Sequence, residues 1–457
     1  MNLKTVIAVS ACKLTRHALR AFRRGGTALP GHVAEIICPD LLRRLAKDVT
    51  CIAITGTNGK TTSARMLEQF FIDSGTPCLT NKSGSNLMRG IVAEFALCAT
   101  ASGKPKRKAA VIECDEAASK KVFEYLNPKA LLVTNVFRDQ TDRFGDVTET
   151  LENIKIGVKN SPNAIVCLNA DDSLTSSIAG EVPNEVVFYG VDAGVYDNQP
   201  EEHSDAPMCL KCGAGYEYDY VTYGHLGGFR CPACGYARKT PDVAVTEILG
   251  RDGDSQTVAL RARGETAEVT INLPGGYNIY NAAGAIAAAT GLGFTLDDAK
   301  EAMLRFDCGF GRMERFELGG PPVRMILVKN TVGCNQALAY IHDLPGDAMI
   351  ALSLNDRIAD GTDISWISDV NFERLSGMGS KLRGVLVSGL RASDMAARLQ
   401  QAGFPDGSVS VFTEQRDMLD AALGQEAPVF ILPTYTAMLE IREIISRGFG
   451  LKNYWEY

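Results

Sequence analysis

The chain has 457 residues, 46% of them hydrophobic, which is enough for roughly two to four domains with buried cores. Its net charge of −7 and pI near 5.5 argue against a general nucleic-acid-binding protein. The 13 cysteines are scattered rather than packed into a small disulfide framework, which indicates a reducing, cytoplasmic compartment. No apolar stretch reaches the roughly 18–20 residues of a membrane span.

The first 34 residues are basic and contain no acidic residue; the first acidic residue is Glu35. Helical periodicity places Arg16, Arg20 and Arg23 on one face. Such a face can contact anionic lipid or a lipid-linked pyrophosphate. The alternative, which we favour, is a helix that packs on its own domain with its basic face in solvent. Residues 1–48 are therefore predicted to be a basic N-terminal segment packed on the next domain.

A glycine-rich turn follows the apolar run 51–54. Residues 55–62 read Thr-Gly-Thr-Asn-Gly-Lys-Thr-Thr, which predicts a strand, a tight turn and a helix beginning near Lys60. The N–H groups of such a turn bind phosphates, Lys60 reaches the β- and γ-phosphates, and the Thr61 hydroxyl is a ligand of Mg²⁺. The predicted ATP-binding residues of the turn are Thr57, Asn58, Gly59, Lys60, Thr61 and Thr62.

Alternating strand and helix patterns surround this turn and recur towards the C-terminus. Short apolar runs bounded by polar residues are typical of buried parallel strands. In the first part they lie at 111–114, 130–135 and 164–169, followed by alternating strands over 243–273 and an alanine-rich helix at 278–292. The later strands are predicted at 323–328, 349–354, 384–388 and 429–432, and the later helices at 393–402, 416–423 and 434–446. These patterns predict an α/β protein with a P-loop central domain, 49–308, and a Rossmann-like α/β C-terminal domain, 309–457.

Residues 203–240 interrupt the α/β pattern with a polar segment that contains two Cys-x₂-Cys pairs. The pairs are separated by 18 residues, a spacing typical of a zinc ribbon inserted in a larger domain. The four thiolates fill a tetrahedral site, so the zinc is predicted to be structural. The alternative is four reduced cysteines in an insert. The predicted ligands are Cys209, Cys212, Cys231 and Cys234.

Six motifs, spread in the same order over about 260 residues, resemble those of the Mur ligases. The nucleotide turn resembles the variant that opens the central domain of Mur ligases and folylpolyglutamate synthetases. Glu113 resembles the family's Mg²⁺-binding glutamate, as hard oxygen ligands suit that ion. Residues 134–145 resemble the signature T-N-x-x-x-D-H-x-D-x-x-G, with Gln140 in place of histidine.

The other motifs lie further along the chain. Residues 169–172 match the family's N-x-D-D loop. Residues 276–281 resemble G-x-H-N-x-x-N, which implies that Asn278 contacts the adenine. Residues 311–314 match the G-R-M-E turn, which implies that Arg312 reaches the nucleotide.

Two differences from the Mur ligase pattern favour one subgroup of these ligases. About 50 residues precede Thr55, which makes a UDP-binding domain and a UDP-linked substrate less expected. The ribbon, together with residues 354–366, 388–396 and 432–438, resembles the MurT family, the synthetase subunits of lipid II isoglutaminyl synthase. Residues 329–335 replace a D-D-Y-A-H segment of the Mur ligases, which suits a nucleophile other than an amino acid.

This resemblance implies an ATP-dependent carbon–nitrogen ligase of peptidoglycan biosynthesis. It would amidate the α-carboxylate of D-glutamate in the lipid II stem peptide to D-isoglutamine, through an acyl phosphate and ammonia from a GatD-type glutamine amidotransferase subunit. A lipid II substrate implies that the enzyme acts at the inner face of the plasma membrane. No nucleic-acid partner is expected. The alternatives are a stand-alone ligase that adds an amino acid to a small acid, and a nucleotide-binding regulator that binds a partner through the ribbon.

The resemblance also implies the cofactors and catalytic groups. ATP would be bound with Mg²⁺ held by Thr61 and Glu113, and Zn²⁺ would be structural. Lys60 and Glu113 would serve the ligase reaction. Asp360, chosen over Asp356 and Asp363, would complete the Cys–His–Asp triad of the glutaminase across the interface.

Overall fold

The computed structural model describes residues 3–21, 28–81, 85–138, 147–192, 205–307 and 312–451. Three helices come first: α1 (Leu3–Ala21), α2 (Ala28–Ile37) and α3 (Leu41–Ala46). Of the sequence features named above, Arg23, Gln140, 203–204 and 308–311 lie outside the described residues, as does the side chain of Arg312.

The central domain alternates strands and helices and then adds antiparallel strands. Its elements are β1 (Thr50–Thr55), α4 (Lys60–Asp73), β2 (Leu79–Thr80), α5 (Met88–Cys98), β3 (Ala109–Glu113), α6 (Glu116–Leu126), β4 (Ala130–Val133), α7 (Val147–Lys159), β5 (Ile165–Asn169), α8 (Ser173–Ser177), β6 (Val186–Val191), β7 (Glu217–Tyr223), β8 (Leu226–Arg230), β9 (Val243–Arg251), β10 (Gln256–Ala262), β11 (Glu265–Ile271), α9 (Gly276–Gly291) and α10 (Leu296–Arg305).

The C-terminal domain repeats the α/β alternation. Its elements are β12 (Arg312–Phe316), β13 (Val323–Ile326), α11 (Thr331–His342), β14 (Ala348–Ser353), α12 (Glu373–Ser376), β15 (Leu382–Ser388), α13 (Ala392–Gln401), β16 (Val409–Val411), α14 (Gln415–Leu423), β17 (Val429–Pro433) and α15 (Tyr435–Phe449). Short 3₁₀ helices lie at Ile178–Gly180, Ser365–Asp369 and Gly379–Lys381. The α/β prediction is confirmed, and each predicted strand and helix named above overlaps an observed one.

Two large sheets carry these elements. The central sheet has nine strands in the order β11-β10-β9-β6-β5-β4-β1-β3-β2, with parallel pairing from β9 to β2 and an antiparallel β9-β10-β11 edge. The C-terminal sheet has six strands in the order β12-β13-β17-β14-β15-β16, and only β12 pairs antiparallel. Because β1 lies between β3 and β4, the carboxyl ends of these three strands meet at one edge, where a ligand site is expected.

Buried apolar residues cover both faces of the central sheet. One core includes α4, α9 and α10 and continues into the C-terminal domain. The core on the other face joins α1, α2 and α3 to α5, α6 and α7. In α1, the buried side is formed by Ala8, Val9 and Cys12. Among the described residues, no helix combines the length and apolar character needed to cross a bilayer.

Candidate functional site

The turn between β1 and α4 has the geometry of a phosphate-binding loop. Gly56 and Gly59 both have positive φ, +120° and +87°, a conformation that favours glycine. A Cβ at Gly59 would lie 2.0 Å from Asn281 Oδ1, so this position also needs glycine for space. The helix begins at Lys60, as predicted, so the positive end of its dipole faces the turn.

The residues after β4 hold this turn in place. The N–H of Thr57 donates to Asn135 O over 2.8 Å, and the N–H of Asn58 donates to Asn135 Oδ1 over 2.9 Å. The Thr57 hydroxyl accepts from the N–H of Phe137 at 3.0 Å and donates to the Phe137 carbonyl at 3.1 Å. The Thr57 side chain is thus a structural link between the nucleotide turn and the segment after β4.

Lys60 is buried and paired with an acid that the motifs did not single out. Its Nζ lies 2.7 Å from Glu116 Oε1 and donates to the carbonyl of Gly56 over 2.5 Å. Burial raises the pKa of the Glu116 carboxyl, and the Lys60 charge partly offsets that rise. The sequence signal was a second glutamate three residues after Glu113, at the first position of α6.

Thr61 and Glu113 lie together at the same edge. The Thr61 hydroxyl donates to Glu113 Oε2 over 2.8 Å, and Glu113 ends β3. Asn81 fixes this strand end, because its amide accepts from the Glu113 N–H and donates to the Glu113 carbonyl. A hydroxyl and a carboxylate beside a phosphate-binding turn are a suitable donor set for Mg²⁺.

Two further elements reach the turn. Asn278 lies in the first turn of α9, where its Oδ1 accepts from Asn281 Nδ2 over 2.9 Å. From the C-terminal domain, Asn330 Nδ2 donates to Asn58 Oδ1 over 3.2 Å. The predicted nucleotide residues 57–62, Glu113 and Asn278 are therefore brought to one region, and the C-terminal domain contacts it through Asn330.

The four ribbon cysteines form one cluster. The distance from Cys209 Sγ to Cys234 Sγ is 3.6 Å and that from Cys212 Sγ to Cys231 Sγ is 3.4 Å, with all four sulfurs within 4.8 Å of one another. Tetrahedral zinc with bonds of about 2.3 Å separates its sulfurs by about 3.8 Å, so this donor set fits zinc.

Matching turns hold the two cysteine pairs. The N–H of Cys209 donates to the carbonyl of Ala214, and the N–H of Cys231 donates to the carbonyl of Tyr236, each over 2.7 Å. Burial opposes ionisation of Cys209, but the backbone N–H donors at Lys211 and Cys212 together with side-chain hydrogen bonds from Cys234 and Tyr216 outweigh it and lower the pKa of its thiol to about 6. A thiolate at Cys209 is the form that binds a metal.

Buried polar contacts join the ribbon to the central domain. His225 Nε2 donates to Asp172 Oδ1 over 3.1 Å, with both side chains fully buried. Asp171 accepts from Arg238 Nε at 2.6 Å and from the Tyr280 hydroxyl at 2.7 Å, and burial raises the pKa of the Asp171 carboxyl.

The same hairpin covers Phe137. The His225 ring lies 4.6 Å and the Tyr223 ring 6.0 Å from the Phe137 ring, measured between centroids. A Cβ at Gly224 would lie 2.7 Å from the Phe137 ring, so this close approach needs glycine. Through Phe137 and Thr57, the ribbon is in contact with the nucleotide turn.

The three candidate aspartates of the C-terminal domain lie in different environments. Asp360 is buried, with 6% of its surface exposed, and its carboxylate accepts from the N–H and the hydroxyl of Thr436, each over 2.6 Å. Asp356 pairs with Arg391 over 2.9 Å, and Asp363 accepts from the Ser365 N–H. Asp360 thus anchors the start of α15, a role that the sequence did not reveal.

Comparisons with known proteins agree with this architecture. The family model described as the Mur ligase middle domain matches residues 54–220, and the MurT ligase C-terminal model matches residues 327–438. The MurT subunit of lipid II isoglutaminyl synthase (glutamine-hydrolyzing) from Streptococcus pneumoniae is 33% identical over 98% of both chains. Its Staphylococcus aureus counterpart is 32% identical over 97% of this chain and 98% of that protein.

Among solved structures, a pseudomurein peptide ligase type C from Methanothermus fervidus shares the fold. Its TM-score is 0.66 at 20% identity, and the match covers 87% of this chain and 79% of that one. At this identity the match supports the fold alone. The match to the Streptococcus protein extends along nearly the whole length of both sequences, so this chain belongs to the MurT family of Mur-ligase-like proteins.

Proposed function

We propose that this chain is the synthetase subunit of an enzyme that amidates the D-glutamate α-carboxylate in the lipid II stem peptide, giving D-isoglutamine for peptidoglycan. The observation that carries this proposal is the end-to-end relation to proteins named as MurT subunits of glutamine-hydrolysing lipid II isoglutaminyl synthase. The nucleotide turn supports it, because amide formation from a carboxylate requires activation.

ATP would supply that activation by converting the carboxylate into an acyl phosphate, which ammonia then attacks. The N–H groups of residues 59–62 and the Lys60 ammonium would hold the phosphates, because the N–H groups of Thr57 and Asn58 are bonded to Asn135. Thr61 with Glu113 would hold Mg²⁺. A fixed array of donors and cations of this kind stabilises charge that develops on the transferred group. Asn278 and Arg312 would contact the rest of the nucleotide.

Lys60 has to change partners during this reaction. Its ammonium is bonded to Glu116 and to the carbonyls of Gly56 and Thr57, so phosphate would replace at least one of these contacts. Glu116 would hold the lysine at the turn before the nucleotide arrives. Its buried position makes the neutral form accessible once the lysine charge is shared with phosphate.

Ammonia would come from a GatD-type glutaminase subunit, since free ammonia is mostly protonated at neutral pH. Asp360 is our candidate for the aspartate that orients the catalytic histidine of this partner. Its loop follows the carboxyl end of β14, an interior strand of the C-terminal sheet, and Asp356 and Asp363 lie in the same loop. The complex would work at the inner face of the plasma membrane, where a lipid-linked substrate is presented.

The test is to co-express the chain with a glutaminase from the same genome, purify the complex and assay it on lipid II. Mass spectrometry of the stem peptide should show amidation that requires ATP and glutamine together. A Thr61→Val variant, which keeps the shape of the side chain and removes the hydroxyl, should lose this amidation.

Two results would overturn the proposal. One is a complex that hydrolyses ATP while attaching an amino acid to a small acid and leaving lipid II unchanged, which would favour a stand-alone ligase. The other is full amidation by the Thr61→Val variant, which would remove the proposed nucleotide site.

A further inference from the structure

The N-terminal helices expose large aliphatic side chains on the side that faces away from the core. In α1, Leu3 and Leu14 are each 73% exposed and Ile7 is 47% exposed. They recur at positions 3, 7 and 14, which keeps them on one helical side, whereas Ala8, Val9 and Cys12 form the buried side. An apolar stripe turned to solvent along a helix that already has a buried side indicates a surface used for contact.

The neighbouring helix has the same property. α2 packs against α1, and its Leu29 and Ile36, seven residues apart, are 50% and 68% exposed. The helix is fixed firmly to the central domain, because a Cβ at Gly31 would lie 1.7 Å from the Arg89 carbonyl oxygen of α5. We call Leu3, Ile7, Leu14, Leu29 and Ile36 the N-terminal apolar face.

The charge of α1 indicates what the N-terminal apolar face binds. Within α1 the charged residues are Lys4, Lys13, Arg16 and Arg20, all basic. Lys4 and Arg20 are exposed, whereas Lys13 donates to the Ala99 carbonyl and Arg16 is half-buried. The first acid of the sequence is Glu35 in α2. The whole chain is acidic, with a net charge of −7, so this basic region is opposite in sign to the rest of the molecule. A helix that exposes Leu and Ile residues together with basic residues such as Lys4 and Arg20 has the composition of helices that lie in the interface of an anionic bilayer.

The N-terminal apolar face is connected to the candidate site through α5 and the segment before it. α2 packs on α5, and the segment just before α5 reaches the metal-binding edge. There the Asn86 carbonyl accepts from the Asp115 N–H, and Asn81 bonds both backbone groups of Glu113. The N-terminal apolar face and the Thr61–Glu113 pair are thus joined through the same supporting helix.

We propose that the N-terminal apolar face docks this protein on the anionic surface of a lipid bilayer. The docking deepens the proposed function, because it would hold the ligase at the surface that presents a lipid-linked substrate, but the binding itself needs no substrate. The aliphatic side chains would enter the headgroup region, and the exposed Lys4 and Arg20 side chains would contact lipid phosphates. The contact should weaken as ionic strength rises, because the charged part is screened.

The experiment is flotation of the purified protein, with its glutaminase partner where the two co-purify, on vesicles that contain no lipid II. One vesicle set is phosphatidylcholine alone, and the other contains equal parts of phosphatidylcholine and phosphatidylglycerol. The test variant is Ile7→Ser with Leu14→Ser. The matched control is Leu249→Ser with Leu304→Ser, because these residues are 46% and 55% exposed on other parts of the molecule.

We expect wild type and control to bind the anionic vesicles and the Ile7/Leu14 variant to bind about tenfold more weakly. Removing charge with Arg20→Gln should weaken binding to anionic vesicles and leave the weak binding to phosphatidylcholine unchanged. Amidation of detergent-solubilised lipid II should be the same in all variants, so failure of the docking is distinguishable from failure of the proposed function.

The proposal is overturned if wild type does not float with anionic vesicles, or if the Ile7/Leu14 variant floats as well as wild type. Loss of glutaminase binding by that variant, with vesicle binding retained, would make the face a protein interface instead. A dimeric wild type that becomes monomeric in the variant, again with vesicle binding retained, would assign the face to a second copy of the chain.

Discussion

Lys60 is the residue whose environment differs most from the simple expectation for a phosphate-binding lysine. The motif predicts a side chain directed at phosphate, whereas the structure buries it in an ion pair with Glu116. Truncating one partner of a buried pair leaves the other charge unpaired, which commonly costs about 3 kcal/mol or more. A variant of Lys60 therefore tests stability and nucleotide binding at the same time.

The first prediction separates these two effects. Lys60→Ala should abolish ATP-dependent amidation and also lower the melting temperature, because Glu116 loses its counter-ion. The double variant Lys60→Ala/Glu116→Gln should recover most of the melting temperature and none of the activity. Calorimetry and the amidation assay on the same preparations are the measurements. Normal amidation by either variant would contradict the assigned role of Lys60.

The second prediction concerns pH. Burial raises the folded-state pKa of Glu116 above its ordinary 4.5, so the folded chain keeps this proton at pH values where the unfolded chain has lost it. Its contribution to the free energy of unfolding is therefore complete below pH 4.5 and is lost as pH rises through the raised value. Urea titrations at pH values from below 4.5 upwards should show that the free energy of unfolding of wild type falls as pH rises. The fall should be shallower in Glu116→Gln. Parallel curves for the two proteins would exclude an effect of Glu116.

The third prediction tests Asp360 by paired rates. If it orients the partner's histidine, Asp360→Asn should reduce glutamine-driven amidation by orders of magnitude and spare ammonia-driven amidation at raised pH. Thr436→Val is the matched control, because it disturbs the contact with Asp360 at the start of α15 without removing the carboxylate. Equal loss of both rates in Asp360→Asn, reproduced by Thr436→Val, would assign Asp360 to the fold and shift the proposal to Asp356 or Asp363.

At the scale of elements, the ribbon is the feature that combines a clear sequence signal with an unforeseen contact. The cysteine spacing predicted the cluster, and the structure brings the four sulfurs together. The spacing carried no information about what the hairpin β7–β8 would touch. Its contacts with Asp172 and Phe137 join segments about 50 and 90 residues apart in the chain, and such pairs have no local pattern.

The fourth prediction is that the protein binds about one zinc ion per chain and that the Cys231→Ser variant loses it. Hydrogen exchange should show that residues 205–240 lose protection first in this variant, because the metal closes the ribbon. Cys334→Ser is the control, since Cys334 is a buried cysteine of α11 outside the cluster. Full protection of the ribbon in metal-free protein would contradict a structural role for zinc.

The elements of the α/β framework could be predicted because their signals are local. The apolar run at 429–432 lies within β17, the run at 111–114 begins inside β3 and extends one residue beyond it, and the turn at 55–62 gave the start of α4. The ion pair of Lys60 with Glu116 and the burial of Asp360 could not be predicted from these signals. Both depend on which side chains the packed sheets bring together, which periodicity does not encode.

At the scale of the whole molecule, the central and C-terminal domains contact each other at the nucleotide turn. Asn330 both caps α11, by accepting from the Gly333 N–H at 2.8 Å, and donates to Asn58. Far from the turn, Tyr340 donates to the carbonyl of Gly253 at the β9–β10 connection. Besides the shared apolar core, the C-terminal domain is therefore attached through polar contacts at the nucleotide turn and at the β9–β10 connection, and the first of these belongs to the candidate active site.

The fifth prediction uses the double role of Asn330. Asn330→Ser keeps an acceptor for the helix cap and loses the reach to Asn58, whereas Asn330→Ala loses both. The serine variant should retain the melting temperature yet bind nucleotide more weakly, and the alanine variant should lose about 1 kcal/mol of stability as well. Nucleotide titration and thermal melting check this. Wild-type affinity in both variants would show that the inter-domain contact does not influence the turn.

The contact of Thr57 with Phe137 has a consequence for how tightly the protein would retain zinc. Zinc at the cysteine cluster would close the ribbon, the ribbon covers Phe137, and Phe137 bonds the nucleotide turn, so the two proposed binding sites share one structural element. Linkage of this kind is reciprocal: any factor by which zinc tightens nucleotide binding is the factor by which nucleotide tightens zinc binding. Where zinc does tighten nucleotide binding, a MurT-family protein supplied with ATP would lose its zinc later under zinc starvation than the same protein without nucleotide.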